Sequence, residues 1–399
     1  MATHPKIAII GGGPSGLCLA RILNINNIPC TVFERDTSPS IRTQGGTLDL
    51  HPPTGQQALK DANLFSEFQE HARYDGENLV LADRFGKEHA RISGVDYGRP
   101  EIDRPILRKM LLDSLPDGII RWGSRVKDVE VGKVIFEDGH VEMGFDLIVG
   151  ADGAWSKVRP HLTTFQPFYA GVSGLEMQIK DVDNRYPDIA AKLGKGNYFI
   201  FGEEDENAVL CQRMGEGSVK IGPYFVVPER FFQDSGLDVQ NPDKVREICI
   251  TRLENWAEET KDLIRKTDDE IRLWPLYMLP VGIRWNSRSG LTLMGDAAHL
   301  ETPFAGEGVN LALTDAMILA REIVKTPEDL DRAVREYEKE MFPRARESMQ
   351  KTWNSLQSRF APGGLREFKG RIRAGAKKMG IDPAKFGIEE DEIAVTTTT

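Results

Sequence analysis

Three stretches carry residue types at spacings that could do chemistry. Near the start, Gly11-Gly12-Gly13-Pro14-Ser15-Gly16 sets glycines in the order G-x-G-x-x-G. At that spacing Gly11 makes a tight turn, Gly13 lets backbone approach a pyrophosphate, and Gly16 lets a helix pack on a strand. Glu34 follows near the ~20-residue offset at which a carboxylate accepts hydrogen bonds from ribose hydroxyls. A carboxylate there repels a 2′-phosphate, which favours FAD or NAD over NADP at this position; Arg35 beside it can lie against an adenine. The second stretch, MGDAAHLETPFAGEGVN from Met294 to Asn310, isolates Asp296 among small residues. Gly and Ala bury little apolar area, so the run suits a large ligand lying close to the backbone. Asp152 in GADG is the third feature.

These residues need particular elements to bring them together. The runs KIAII, GGGPSG, LCLARILNI and PCTVFER read as strand, turn, helix and strand, a βαβ unit, and a right-handed crossover places both strands in one parallel sheet. FDLIVGADG and LTLMGDAAH read as further buried strands of that sheet, so Asp152 and Asp296 can border one elongated ligand. Asp296 can accept from ribityl hydroxyls. The turn from Gly306 to Asn310 opens the helix VNLALTDAMILAREIV, whose free N–H groups and positive dipole end favour negative charge on a flavin pyrimidine ring. Asp103, followed by Arg104 and Pro105, predicts a helix start. From Val172 to about Trp274 the pattern changes to alternating strands such as NYFIF, AVLCQ and SVKIGPYFVV, predicting an inserted second domain. From Arg344 to Lys385 the chain carries 11 Lys/Arg against 3 Asp/Glu, read here as a solvated helix face.

Composition narrows the function. At 399 residues, 40% hydrophobic and 28% charged, the chain is an ordinary globular one long enough for two domains. Its net charge of −10 argues against general nucleic-acid binding. Four cysteines lack C-x-x-C spacing, and seven histidines lack a metal-binding pattern, so no metal site and no nucleophilic cysteine are expected. No run reaches the ~18 apolar residues of a membrane span, and the N-terminus lacks the pattern of a cleaved signal. A cytoplasmic monomer is expected.

Taken together, GGGPSG, FERD, IRTQGGTLDL, IDRPILRKML, GADGAWSKVR and GDAAHLETPFAGEGVN resemble the single-component FAD-dependent aromatic hydroxylases, and within them the tetracycline-inactivating monooxygenases. The resemblance runs in order from Lys6 to about Phe342. It implies an α/β, PHBH-like fold: a Rossmann-like FAD-binding domain of the glutathione-reductase type (residues 1–73, 99–171 and 275–340), an inserted, mostly antiparallel substrate domain (74–98 and 172–274), a C-terminal bridging helix (341–380) and a frayed tail (381–399). Carried over by motif, Gly11, Gly13, Ser15, Gly16, Glu34 and Arg35 hold the ADP half of FAD. Arg104 and Asp296 hold the ribityl-diphosphate region. Asp49, Pro303, Gly306, Gly308, Val309 and Asn310 border the flavin ring, and Arg42 matches a position associated with NADPH.

The implied activity is a monooxygenase in which NADPH, a transient co-substrate, reduces the flavin and O2 yields a C4a-hydroperoxide that hydroxylates the substrate. Glu176 and Lys220 fall where tetracycline-inactivating members carry Gln and His. That departure leaves an oxygenated aromatic or polyketide-like molecule as the expected substrate, a tetracycline being one candidate. Phe199, Phe201, Tyr224 and Phe225 are candidates to line its cavity, strand core being their competing role. No residue is assigned as catalytic, and His299 is read as structural. Two other readings stay open: an FAD-dependent reductase or dehydrogenase without oxygen transfer, and a nucleotide-binding regulatory protein with no turnover.

Overall fold

The computed structural model describes residues 5–41, 45–202 and 204–388. It divides into two compact units. The first comprises Met1–Tyr74, Tyr97–Gly171 and Pro275–Leu356, the second Asp75–Asp96, Val172–Trp274 and Gln357–Thr399.

The first unit is built on a five-stranded parallel sheet in the order Leu291–Leu293, Leu147–Gly150, Ile7–Ile10, Cys30–Phe33, Ile120–Arg121. Its central strands are buried without alternation, IAII and LIVG throughout, because helices and connections cover both faces. The first crossover is the helix Pro14–Ile25, which opens with Pro14 in a position whose missing N–H costs nothing. It packs against the helix Gly308–Lys325. A three-stranded antiparallel ribbon (Val126–Glu130, Lys133–Phe136, Val141–Met143) and the pair Thr47–Asp49 and Glu101–Asp103 complete the strands of this unit. Asp103 precedes the helix Arg104–Asp113, as its sequence predicts.

The second unit centres on a seven-stranded sheet in the order Arg272–Met278, Phe168–Ile179, Val219–Val226, Asn207–Arg213, Asn197–Phe201, Leu79–Asp83, Glu88–Ile92. All the registers among its inner strands are antiparallel except that of Asn197–Phe201 with Leu79–Asp83. One face buries Leu175, Met177, Tyr198, Ile200, Val209, Ile221 and Phe225 in a core with the helices that follow. Between the last strands of the sheet in chain order lie two helices, Pro242–Arg252 and Glu258–Arg265.

The C-terminal helical region is likewise two helices, Leu330–Arg359 and Gly364–Lys378. They are separated at Pro362-Gly363, where Gly363 takes φ 81°, a conformation that ends a helix cheaply only for glycine. The last residues described form a 3-10 turn, Pro383–Phe386, and bury Phe386 and Ile388.

Candidate functional site

In the first unit every strand of the sheet is parallel, so the segments of interest leave at one edge. Gly11 follows Ile10, Glu34 follows Phe33, Asp152 closes the turn after Gly150, and Gly295 and Asp296 follow Leu293. Ligands of open α/β sheets bind at this carboxyl edge. Three inter-strand gaps separate the strands before Asp296 and Glu34, about 14 Å at the usual spacing.

The three fingerprint glycines are fixed by different forces. Gly11 has φ 109°, and a Cβ on it would stand 2.4 Å from the carbonyl oxygen of Ala151. A Cβ on Gly16 would stand 2.1 Å from the carbonyl oxygen of Gly11. Gly13 meets no atom within 4 Å; it caps the Pro14–Ile25 helix with no side-chain cap and no acid in the first turn. Amides there point into open space, the arrangement that receives a diphosphate. Ser15 is buried in that turn, and a Cβ on Gly295 would come 3.1 Å from its Oγ, so the first and last motifs meet. Gly295, at φ 57° and ψ −145°, is in a region open only to glycine.

Glu34 is 2% exposed. Its Oε2 accepts from the Gly12 N–H (2.6 Å) and its Oε1 from the Asp36 N–H (2.9 Å), which fix a carboxylate that has four lone-pair directions in all. Arg35 is exposed. Arg42 lies outside the described residues. Arg104 starts its helix beside Gly45, where a Cβ would meet its Cδ at 2.5 Å.

Asp296 accepts no hydrogen bond from any described residue. Burial pushes its carboxyl up from the ordinary value, against the pull of His299 and Arg104, while the residue itself is exposed. Asp152 is half-buried; its Oδ2 accepts from the Lys157 N–H at 2.6 Å, and burial pushes it up.

Asn310 ties the far wall together. Its Oδ1 accepts from the His51 N–H (2.8 Å) and the Gly55 N–H (3.3 Å), and its Nδ2 donates to the carbonyl of Asp49 (2.8 Å). Gly306, at φ 69°, approaches Asp49, a Cβ there lying 3.6 Å from Oδ1. Pro303 is exposed and Gly308 and Val309 are half-buried. The Gly308–Lys325 helix has no side-chain cap and no acid in its first turn. These residues suit FAD on chemical grounds. Uncapped amides at a helix start would suit a diphosphate, an accessible carboxylate would suit polyol hydroxyls, and a second helix start with no side-chain cap would suit an electron-rich ring edge.

Three residues at this wall escape sequence reasoning. His51 bonds Asp49 through Nε2 (2.8 Å) and approaches Glu307 with Nδ1 (3.6 Å). Glu307 also pairs with Lys351. Burial pushes Glu301 up to about 7. The available signal is two carboxylates in the otherwise small and apolar ETPFAGEG. His299 donates at 2.6 Å to Asp315, whose carboxylate also accepts from the Gly295 N–H and from Arg344. Burial alone would lower His299, but Asp315 raises it; the imidazole is held within a fully buried network. All four thiols are pushed up by burial, Cys18, Cys30 and Cys211 to about 12 and Cys249 further, which leaves them poor nucleophiles at neutral pH. Among the described residues no group of His, Cys, Asp and Glu is placed to hold a metal ion, and no helix is long and apolar enough to cross a membrane.

The candidates in the second unit share a sheet, though not one face. Glu176 and Lys220 pair at 3.1 Å, Lys220 lying opposite Gln178 and reaching diagonally. Phe199 and Phe201 stand on the same side as one another, both against the Phe368 ring at 6.3 and 5.7 Å. Arg359 lies over the rings of Phe201 and Phe368, its guanidinium pushed down to about 10 by burial. Phe225 is placed elsewhere: fully buried, it faces the opposite side and packs on Phe232 in the helix-covered core. Strand period explains the difference, since Lys220 and Phe225 differ in parity and so project from opposite faces.

Comparison with known proteins adds to this geometry. The profile of the family described as "FAD binding domain" matches residues 4–98 and 127–352. Monooxygenase penA of Penicillium thymicola is 31% identical over 91% of this chain and 97% of its own. Monooxygenase asqM of Emericella nidulans is 32% identical over 88% and 94%. Among solved structures, Klebsiella pneumoniae HpxO complexed with FAD and uric acid superposes with TM-score 0.77 at 22% identity, over 95% of each chain. Tetracycline destructase Tet(55) superposes with TM-score 0.73 at 20% identity, over 98% of this chain and 100% of its own. At those identities the two structures speak to the fold alone.

Proposed function

The chain belongs to the FAD-binding domain family of flavin-dependent monooxygenases, and from that premise we propose that it uses NADPH and O2 to hydroxylate an electron-rich aromatic or polyketide-like small molecule. The observation that carries the site is the convergence of two remote motifs. Ser15, beside the first helix start, and Gly295, beside Asp296, lie in near contact on the carboxyl edge of one sheet.

FAD, when bound and reduced by NADPH, would supply the two electrons that activate O2, one oxygen atom going to the substrate and the other leaving as water. The protein's own groups do the rest. The amides after Gly13 would hold the diphosphate and Glu34 and Asp296 would accept from the ribose and ribityl hydroxyls, while the charge of Arg104 favours the Asp296 carboxylate. The start of the Gly308–Lys325 helix, braced by Asn310, would favour the negative charge that gathers on a flavin on reduction. The His299–Asp315–Arg344 network fixes the Gly295 turn and carries no proton to substrate in this reading.

The sheet face bearing Glu176, Lys220, Phe199 and Phe201 supports a flat, oxygenated substrate. Rings offer apolar area, and an ion pair can exchange partners with phenol or enol groups. Tetracyclines are members of that class to be tried first, beside polyphenols.

The test is mass spectrometry of such a panel incubated with protein, FAD, NADPH and 18O2. The expected result is a product heavier by one labelled oxygen, formed only with NADPH. NADPH consumption that yields hydrogen peroxide and no labelled product across the panel would instead favour a reductase.

A further inference from the structure

Glu301 sits in the turn between the Asp296–His299 helix and the Gly308–Lys325 helix. The Leu330–Arg359 helix holds this turn by hydroxyls one turn apart. Ser348 Oγ donates to Glu301 Oε2 at 2.8 Å, and Thr352 Oγ1 donates to the Thr302 carbonyl at 2.6 Å. Glu301 Oε1 is buried and has no hydrogen-bond partner. It points toward the start of the Gly308–Lys325 helix, where a Cβ on Gly308 would come within 3.7 Å of it.

The surroundings make either charge state reachable near neutrality. Burial raises the carboxyl, and Asp296 and Glu307 add to this; Ser348 and His299 act against them. Glu307 is in turn engaged by Lys351 and His51, and His299 by Asp315. A protonated carboxyl removes one negative charge from the start of this helix, whose N-cap residue Glu307 is paired with Lys351. A carboxylate places a like charge against any anion gathering there.

We propose that Glu301 is a positioning residue for flavin reduction: its protonation decides whether a second carboxylate, beside the ion-paired Glu307, stands at the Gly308 helix start, and so how readily bound FAD accepts electrons. The inference rests on the FAD placement proposed above.

The experiment measures the midpoint potential of bound FAD against pH, by dye equilibration, in the wild-type, Glu301→Gln and Ser348→Ala proteins, with FAD content read from the visible spectrum. Wild type and Glu301→Gln should coincide in acid, then separate across about pH 7, the wild type becoming harder to reduce. Ser348→Ala loses the donor that favours the carboxylate, so its inflection should move to higher pH. Parallel wild-type and Glu301→Gln curves in FAD-loaded proteins would overturn the inference alone, as would an unmoved inflection in Ser348→Ala should Glu301→Gln not fold. A folded wild-type chain that takes up no FAD would overturn the function proposed above along with it.

Discussion

The sheet edge of the first unit and the sheet face of the second both gather residues of the kinds that do chemistry, but they treat them oppositely. At the edge, Gly11 and Gly16 are locked by contacts of their own backbone, and Asp296 accepts no hydrogen bond from any described residue. On the face, Glu176 answers Lys220, and Phe199 and Phe201 answer Phe368. Groups that a protein positions and then leaves unsatisfied point to a ligand. Groups that satisfy one another serve the fold equally well, and a ligand must displace something to reach them.

The largest expected effect sharpens this contrast within a single motif. Gly11→Ala, with positive φ and a backbone clash, should cost more than about 4 kcal/mol and abolish soluble folded protein. Gly13→Ala, in open space at φ −80°, should keep the melting temperature of the FAD-free protein and weaken FAD binding. Equal loss of stability in the two, read by thermal denaturation, would erase the distinction between fold-locked and ligand-facing glycines.

Next comes the second unit. Phe225→Ala should cost about 3–5 kcal/mol, the range for a buried phenylalanine, whereas Phe199→Ala, half-buried on the other face, should cost less and chiefly raise the KM for substrate. Urea denaturation beside steady-state kinetics separates them, and the reverse ranking would place the candidate face wrongly.

Third, Asp296→Ala should weaken FAD binding about 10- to 100-fold, the worth of a charge-assisted hydrogen bond, without lowering the stability of the FAD-free protein. Flavin fluorescence titration measures it. A loss of stability as large as the loss of affinity would make Asp296 a structural residue.

The smallest effect is a slope with pH. Folded His299 binds its proton more tightly than the unfolded chain does, burial opposing and Asp315 prevailing. Its contribution is therefore complete below the ordinary histidine value of about 6.5 and fades as pH rises through the raised folded value. Asp315, lowered by His299 and Arg344 in spite of burial, loses its contribution as pH falls below the ordinary carboxylate range. His299→Asn should flatten the alkaline side of the melting-temperature profile of the FAD-free protein; an unchanged slope there would remove the network from the account.

Legibility in the sequence followed the range of the forces. The βαβ start could be read because strand, glycine turn and helix are neighbours in the chain, and Gly16 is constrained by Gly11 only five positions away. Asp296 could be read because nothing beside it competes for notice. Glu301, Glu307 and His51 could not, since their partners Ser348, Lys351 and Asp49 include residues some forty positions distant, and a lone glutamate in a turn looks solvated. The face of Phe225 was legible in principle: its parity matches Val219 and Ile221 and opposes Lys220. The break between the last two helices was likewise spelled out by Pro362-Gly363-Gly364.

The latch made by Ser348 and Thr352 turns the length of the Leu330–Arg359 helix into a ruler. Inserting one alanine ahead of Ser348 would swing both hydroxyls about 100° around the axis, unhooking the Glu301 turn while leaving every residue of it in place. Indels in this helix should then behave as phase errors, with a partial return of function when the inserted length restores a whole turn.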